Sequence, residues 1–169
     1  MQRDGNHALC IFVGTARGNG FDEEFVIDEP TRQLIRKYGN LCDTIHTDLH
    51  ECLGHGSGQL LPGVDPDALK AYGNTIEEAR ADLFGLYYAA DPKLVELGLL
   101  DSEEAYQATY YCYMMNGLLT QLARIKRGNT IEEAHMRNRA LIAHWCYEKG
   151  KENKVVCRLV WSSGFACGI

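Results

Sequence analysis

The sequence predicts a mainly α-helical protein with a few short strands near its two ends. Apolar residues recur every four positions over residues 41–53, which is the spacing of one face of a helix. Two later stretches each carry a threonine three residues before a glutamate, a pattern typical of a helix N-terminus. Short β-like runs are confined to residues 8–13 and 25–27 and to a stretch that begins near residue 155.

Helices are expected to dominate from residue 30 onward. A short helix over residues 31–38 should end at Gly39 and Asn40, and the following motif helix should turn a stripe to the core through Leu41, Ile45, Leu49 and Leu53. Three further helices are expected over about residues 75–90, 102–127 and 130–149. The first of these three should bury one apolar face, made of Ile76, Ala79, Leu83, Leu86 and Tyr87.

Length and composition limit the classes of protein to consider. A chain of 169 residues with 46% hydrophobic content is expected to form a single domain over residues 1–169 with a real core. The net charge of −6 argues against nucleic acid or an anionic membrane as the main partner. Because the chain shows neither a signal-peptide pattern nor a membrane-length apolar run, we expect a soluble, cytoplasmic protein.

The seven cysteines include no C-x-x-C pair, so neither a zinc ribbon nor a thioredoxin-type motif is indicated. We therefore expect reduced thiols. Cys52 lies among the most chemically suggestive residues of the chain, but we expect a small buried hydrophobic side chain there rather than a nucleophile.

Those suggestive residues are His50-Glu51-Cys52-Leu53-Gly54-His55. Two histidines beside a glutamate are typical of zinc hydrolases, in which the histidines are four residues apart on one helical face. Here they are five apart, and five steps of an ideal helix turn by about 500°, which aims the rings in different directions. We expect a bulge or π-type turn to correct this, with Gly54 tolerating the distortion. Glu51, four residues before His55, keeps its place beside that histidine and is positioned to hold a water.

A second acidic cluster, Glu77-Glu78-Ala79-Arg80-Ala81-Asp82, follows, and it contains part of an internal repeat. Residues 73–79 and 128–134 share one heptapeptide, so Glu78 and Glu133 have equal local claims to be a third metal ligand, and each also fits a capping box. Asp82, one turn after Glu78, favours Glu78 because it supplies an acceptor for a ligand histidine, whereas position 137 is arginine. Arg80 should pair with Glu77.

His46 and His50 form a competing pair, four residues apart and able to share a metal. If His46 and His50 held the metal, Glu51 would no longer be placed toward the second histidine ligand, as it is toward His55. His46 is therefore expected to be structural.

The motifs H-E-x-x-G-H and E-E-A-R-A-D resemble the signatures of the dipeptidyl peptidase III family of zinc aminopeptidases, and the resemblance covers residues 18–150. It implies a helical catalytic lobe that holds one Zn²⁺ per chain through His50, His55 and Glu78. Glu51 would be the general base, and His135 would stabilise the oxyanion. The resemblance also implies that Glu77 and Asp82 accept hydrogen bonds from the zinc histidines, and Arg139, one turn after His135, shares its face. Asp82 stands where many relatives have glutamate, which is one methylene longer.

The activity implied by the resemblance is release of dipeptides from the N-terminus of short peptides. Glu51 would take a proton from water and return it to the leaving amine. Family members are several times longer, and their substrate clamp comes mostly from a second lobe, which we expect this chain to be too short to include. Two alternatives stay open: a zinc-binding domain without peptidase activity, and a helical interaction module whose histidines match by chance. The preference for zinc over cobalt or manganese rests on ligand type and on the resemblance.

Overall fold

The computed structural model describes residues 26, 28–120, 125–126 and 128–150, together with the backbone of residues 161–162 and 165–166. Helices make up most of this part of the chain, which confirms the predicted mainly α fold. Of the strands predicted from the sequence, residues 8–13 and the stretch 155–160 lie outside the described residues, and Val26, the described residue of 25–27, has no regular structure.

The first helix, α1 (Glu29–Leu49), is continuous, so the predicted break at Gly39 and Asn40 is wrong. Asp28 caps it by accepting a hydrogen bond from the backbone N–H of Thr31 at 2.9 Å. A glycine inside a helix costs about 1 kcal/mol relative to alanine, but Gly39 lies on the buried face of α1. Packing of that face overrides the local preference to stop.

The chain then leaves regular α-helix at the predicted motif. The elements that follow are a π-helical turn (His50–Gly54), 3₁₀ turns (His55–Ser57 and Lys70–Tyr72), α2 (Gly73–Ala89) and α3 (Lys93–Glu96). Next come α4 (Tyr106–Met115), a second π-helical turn (Asn116–Thr120), α5 (Ala134–Gly150) and the antiparallel strands β1 (Trp161–Ser162) and β2 (Phe165–Ala166). The predicted helix over 102–127 thus begins as α-helix at Tyr106, and the predicted helix over 130–149 begins at Ala134.

The chain divides into two compact units. One comprises Met1–Gln59 and Ala81–Cys112, and the other comprises Leu60–Arg80 and Tyr113–Ile169, so the division falls within α2. The first unit contains a hydrophobic cluster in which α1 packs against the α3 region and the start of α4, through Tyr38, Cys42, Ile45, Leu94, Leu100, Ala105 and Ala108. The expectation of one domain stays a prediction.

The buried stripe of α1 is rotated from the predicted one. Leu41 and Leu53 are 43% and 40% exposed, whereas Cys42 and Ile45 are buried and Leu49 packs against the cluster. The i+4 series therefore identified the helix but only half of its inner face. Cys42 adds a polar contact to the core, since its Sγ donates to the carbonyl of Ala105 at 3.2 Å.

The predicted inner face of α2 is mostly wrong. Ile76, Leu83 and Tyr87 are 45%, 51% and 75% exposed. The buried residues of α2 are mainly small, and the one charged residue among them, Asp82, contacts His50 of the motif. The buried residues are Thr75, Ala79, Ala81, Asp82, Gly85 and Ala89. A face of small residues lets α2 approach its neighbours closely, which apolar periodicity alone does not reveal.

None of the helices in the described residues combines the length and apolar character needed to cross a membrane. Within the described residues, Cys42, Cys52, Cys112 and Cys146 are not joined in disulfides. Cys52 is exposed on the π-helical turn, so the expectation of a buried side chain there is wrong.

Candidate metal centre

The five-residue spacing of His50 and His55 is accommodated by the π-helical turn, which confirms the predicted distortion. The backbone N–H of His55 donates to the carbonyls of both Glu51 and His50. The bond to His50 spans five residues, so it closes a wider turn that returns residue 55 to the side of residue 50. The two imidazole centroids lie 4.7 Å apart with the rings nearly perpendicular, at 84°.

Gly54 is needed for a different reason from the one the sequence suggests. Its φ of −62° is open to any L-residue, so no left-handed backbone demands glycine. A Cβ at this position would instead lie 2.7 Å from the Cα of Ala81 on α2. Glycine therefore allows the backbone of the histidine turn to rest directly against α2.

The close approach of α2 brings Asp82 to His50. Oδ1 of Asp82 lies 2.7 Å from Nδ1 of His50, and Asp82 is 1% exposed. A carboxylate can only accept, so this contact fixes the proton of His50 on Nδ1 and leaves Nε2 for a metal. Asp82, although one methylene shorter than glutamate, reaches the histidine.

His46 lies on the other side of the same carboxylate. Its Nε2 is 3.8 Å from Oδ1 of Asp82, and the residue is 6% exposed. Gly85 makes room for the ring, because a Cβ there would lie 2.8 Å from Cδ2 of His46. His46 therefore packs against Asp82 and Gly85 of α2.

Glu78 lies on α2 one turn before Asp82, with its side chain 16% exposed. One ligand atom each from His50, His55 and Glu78 lie within 4.8 Å of one another, so this group could hold a metal ion. Two histidines and a glutamate are a common donor set of catalytic zinc sites, which keep one position open. The residues present therefore fit the predicted ion in number and in type, and His46 is not a member of the group.

The two copies of the repeat adopt different structures. Helix α2 begins at Gly73, so Glu78 lies inside the helix, and Thr75 is not an N-cap. Helix α5 begins only at Ala134, so Glu133 is itself the N-cap and Thr130 lies outside the helix. The predicted capping boxes are wrong in both copies, and the difference in helix start separates the two glutamates that the shared heptapeptide alone left equal.

His135, in the first turn of α5, lies beside Glu78. Its Nε2 is 3.1 Å from Oε2 of Glu78, and its Nδ1 is 2.7 Å from Oε1 of Glu133. Arg139, one turn later, donates from Nη1 to Oδ1 of Asn116 at 3.2 Å. Its guanidinium carbon lies 5.9 Å from the ring centre of Tyr113. The sequence did not single out Asn116.

Tyr113 also serves a buried amide. Its hydroxyl donates to Oδ1 of Asn138, which is fully buried at 0% exposure. Asn138 follows His135 by three residues on α5, so this bond helps to fix the rotation of the helix that carries His135. An asparagine in a helix gives no local signal of such a role, and the sequence missed it.

The remaining predicted residues occupy simpler surroundings. Arg80 donates twice to Glu77, at 2.6 and 2.9 Å, which confirms the predicted pair and raises the pKa of Arg80. A contact of Glu77 with the zinc histidines stays a prediction. Glu51 is exposed in the π-helical turn between His50 and His55, so its carboxylate is accessible to water.

No model of a known protein family matches the chain, and no curated protein matches it. The resemblance to the dipeptidyl peptidase III family therefore stays a prediction carried by the motif residues.

Proposed function

We propose that this chain is a zinc-dependent peptidase that releases dipeptides from the N-terminus of short peptides. The observation that supports it most is the convergence of ligand atoms from His50, His55 and Glu78 within 4.8 Å. Three protein ligands from neutral imidazoles and a carboxylate are the usual number for a hydrolytic zinc site, since the fourth position is left to water or substrate. The dipeptide preference rests on the motif resemblance alone.

The proton chemistry falls to Glu51. A zinc ion held by the three ligands would supply Lewis-acid chemistry, lowering the pKa of water and polarising a carbonyl. Glu51 is the carboxylate of the turn that carries both histidines, and its exposure leaves it open to a water molecule. It accepts the proton of the attacking water and returns it to the amine of the leaving peptide.

His135 is proposed to stabilise the negative charge that develops on the scissile carbonyl oxygen. Support comes from the position of its Nε2, 3.1 Å from the carboxylate of Glu78. A ring nitrogen beside a metal ligand is close to where that oxygen must form. Arg139, on the same face of α5, is proposed to assist through its positive charge.

The test is hydrolysis of a chromogenic dipeptide amide by the zinc-loaded full chain, with zinc content measured in parallel. Glu51→Gln should abolish turnover and keep one zinc per chain, whereas His55→Ala should lose the zinc. Glu103→Gln, an exposed glutamate in the α3–α4 connection, is the matched control and should keep both. Turnover by the Glu51 variant would refute its role as base.

The same assay separates the alternatives. A wild-type chain that binds one zinc but cleaves no dipeptide amide would be a metal-binding domain that needs a further lobe for substrate. A chain that binds no zinc would refute the metal site, and with it the peptidase. Loading with cobalt or manganese in place of zinc tests the identity of the ion.

A further inference from the structure

We propose that Glu133 is a positioning residue for His135: it holds the imidazole by Nδ1 and thereby directs Nε2 toward Glu78. The catalytic importance of this role rests on the proposed function. The role itself is inferred from the contacts of Glu133 with His135 and Met136 at the start of α5. Glu133 was a rival metal ligand in the sequence, and the structure gives it a different task.

The carboxylate of Glu133 is itself held at three points. Oε1 accepts from the backbone N–H of His135 at 3.0 Å and from its ring Nδ1 at 2.7 Å. Oε2 accepts from the backbone N–H of Met136 at 2.9 Å. Both oxygens are therefore fixed by the first turn of α5, and one of them also holds the ring.

The charge of Glu133 suits this position. Burial raises its pKa, but the hydrogen bonds from the ring and backbone of His135 and from the backbone of Met136 outweigh burial and lower it. The N-terminus of a helix further favours a negative charge. An ionised carboxylate cannot donate, so the proton of the shared hydrogen bond belongs to Nδ1 of His135. By the same argument, Nε2 must carry a proton of its own to donate to the Glu78 carboxylate or to an oxyanion.

The restraint matters because His135 is exposed. Its side chain is 54% exposed, and an exposed imidazole is otherwise free to change rotamer on a nanosecond scale. With Nδ1 bound to Glu133, Nε2 is the nitrogen directed at Oε2 of Glu78, 3.1 Å away. Glu133, His135 and Glu78 thus form a chain of contacts that ends on a proposed metal ligand, and outer partners of this kind orient ligands.

The two roles of Glu133, helix cap and ring holder, can be separated by substitution. Asparagine is among the best N-cap residues, so Glu133→Asn keeps an acceptor for the backbone but is shorter and uncharged. Glu132→Asn makes the same change one residue earlier, at an exposed position outside the helix, and is the matched control. Glu133→Gln, which keeps the length, serves as a second variant.

Two measurements test the proposal, and neither needs peptide cleavage. In ¹⁵N NMR of the metal-free full chain, the His135 ring should show a proton held on Nδ1 in the wild type and in Glu132→Asn. That preference should be lost in Glu133→Asn and weakened in Glu133→Gln. Zinc affinity, measured by competition with a coloured chelator, should fall about tenfold in Glu133→Asn, the lower end of the range for outer partners of ligands.

The effect must pass through His135. In a His135→Ala background, Glu133→Asn should cause no further loss of zinc affinity, because residues that act through one another are not additive. An unchanged ring signal in Glu133→Asn, or an equal loss of affinity with and without His135, would overturn the proposal. If the wild type binds zinc but cleaves no peptide, the proposed peptidase fails while both measurements still decide the role of Glu133.

Discussion

Asp82 and His50 meet in a buried polar contact, with Oδ1 of the aspartate 2.7 Å from Nδ1 of the histidine. Asp82 comes from α2 and His50 from the π-helical turn, so the contact joins the two stretches of sequence that carry the motifs. It sets the tautomer and the ring orientation of a proposed ligand before any metal arrives. Such pre-orientation strengthens a metal site.

Replacing Asp82 should therefore weaken zinc binding without touching a ligand. Asp82→Asn can still offer a neutral acceptor to Nδ1, so we expect about a tenfold loss of affinity, and up to about a hundredfold in Asp82→Ala. Chelator competition measures both. Asp67→Asn, which removes the same charge from the exposed connector before α2, should bind zinc as the wild type does. Unchanged affinity in Asp82→Ala would contradict the role of this contact.

The sequence predicted this contact and the distorted turn because both follow from spacing. Two histidines five positions apart cannot share one face of a regular helix, so the π-helical turn was the physical way to bring the rings of His50 and His55 together. Asp82 follows Glu78 by one helical turn, so one face carries both. Neither inference needed a knowledge of the tertiary packing.

The second prediction concerns the close packing behind the turn. A Cβ on Gly54 would lie 2.7 Å from the Cα of Ala81, a backbone atom that cannot rotate away. Gly54→Ala should destabilise the fold by about 1–3 kcal/mol, as overpacking does, and weaken zinc binding by moving the turn away from α2. Urea unfolding measures the first effect and chelator competition the second.

Gly56→Ala is the matched control for this prediction. A Cβ on Gly56 would lie 3.5 Å from the carbonyl oxygen of Glu51, which is an ordinary contact. We expect its free energy of unfolding to stay within about 0.5 kcal/mol of the wild type, the usual limit for substitutions away from packed features. Equal effects of the two substitutions would show that helix propensity, and not the approach of Ala81, sets the need for Gly54.

The features that the sequence did not predict, the inner face of α2 and the helix starts of the two repeat copies, depend on tertiary packing. The inner face of α2 was missed because its buried residues are small or charged, and Leu83 and Tyr87 on the opposite side carry the apolar signal. The repeat was misread because identical heptapeptides enter their helices at different points, Gly73 and Ala134. Local sequence cannot fix those starting points, and so the role of Glu133 became visible only in the structure.

A third prediction tests the packing of His46 against α2. A Cβ on Gly85 would lie 2.8 Å from Cδ2 and 2.9 Å from Nε2 of His46, and 3.1 Å from its carbonyl oxygen. Gly85→Ala should therefore cost about 1–3 kcal/mol of unfolding free energy. Most of that cost comes from the ring, so it should shrink when His46 is also replaced by alanine.

The measurement is a double-mutant cycle in urea. We expect a favourable coupling of about 0.5–3 kcal/mol between the two substitutions, the range for residues in contact. The carbonyl oxygen of residue 46 is still present in the double variant, so rescue should be incomplete. Strictly additive effects would mean that the ring of His46 does not occupy the space beside Gly85.

The fourth prediction is a pH dependence at the start of α1. The N–H of Thr31 and then its hydroxyl hold the pKa of Asp28 below its ordinary value of 3.8. A carboxylate with a lowered folded-state pKa stabilises the fold above the unfolded pKa and loses that contribution as the pH falls through the folded one. Asp28→Ala should therefore cost about 1 kcal/mol at pH 5, the usual value of an N-cap, and less at pH 2.5.

Asp28→Ser separates the cap from its charge. Serine also caps helices but does not titrate, so the gap between Asp28→Ser and Asp28→Ala should be the same at pH 5 and pH 2.5. The gap between wild type and Asp28→Ala should narrow over that interval, because protonation weakens the aspartate as an acceptor and removes its charge from the helix N-terminus. A wild-type advantage that is constant down to pH 2.5 would show that the charge of Asp28 contributes nothing to the start of α1.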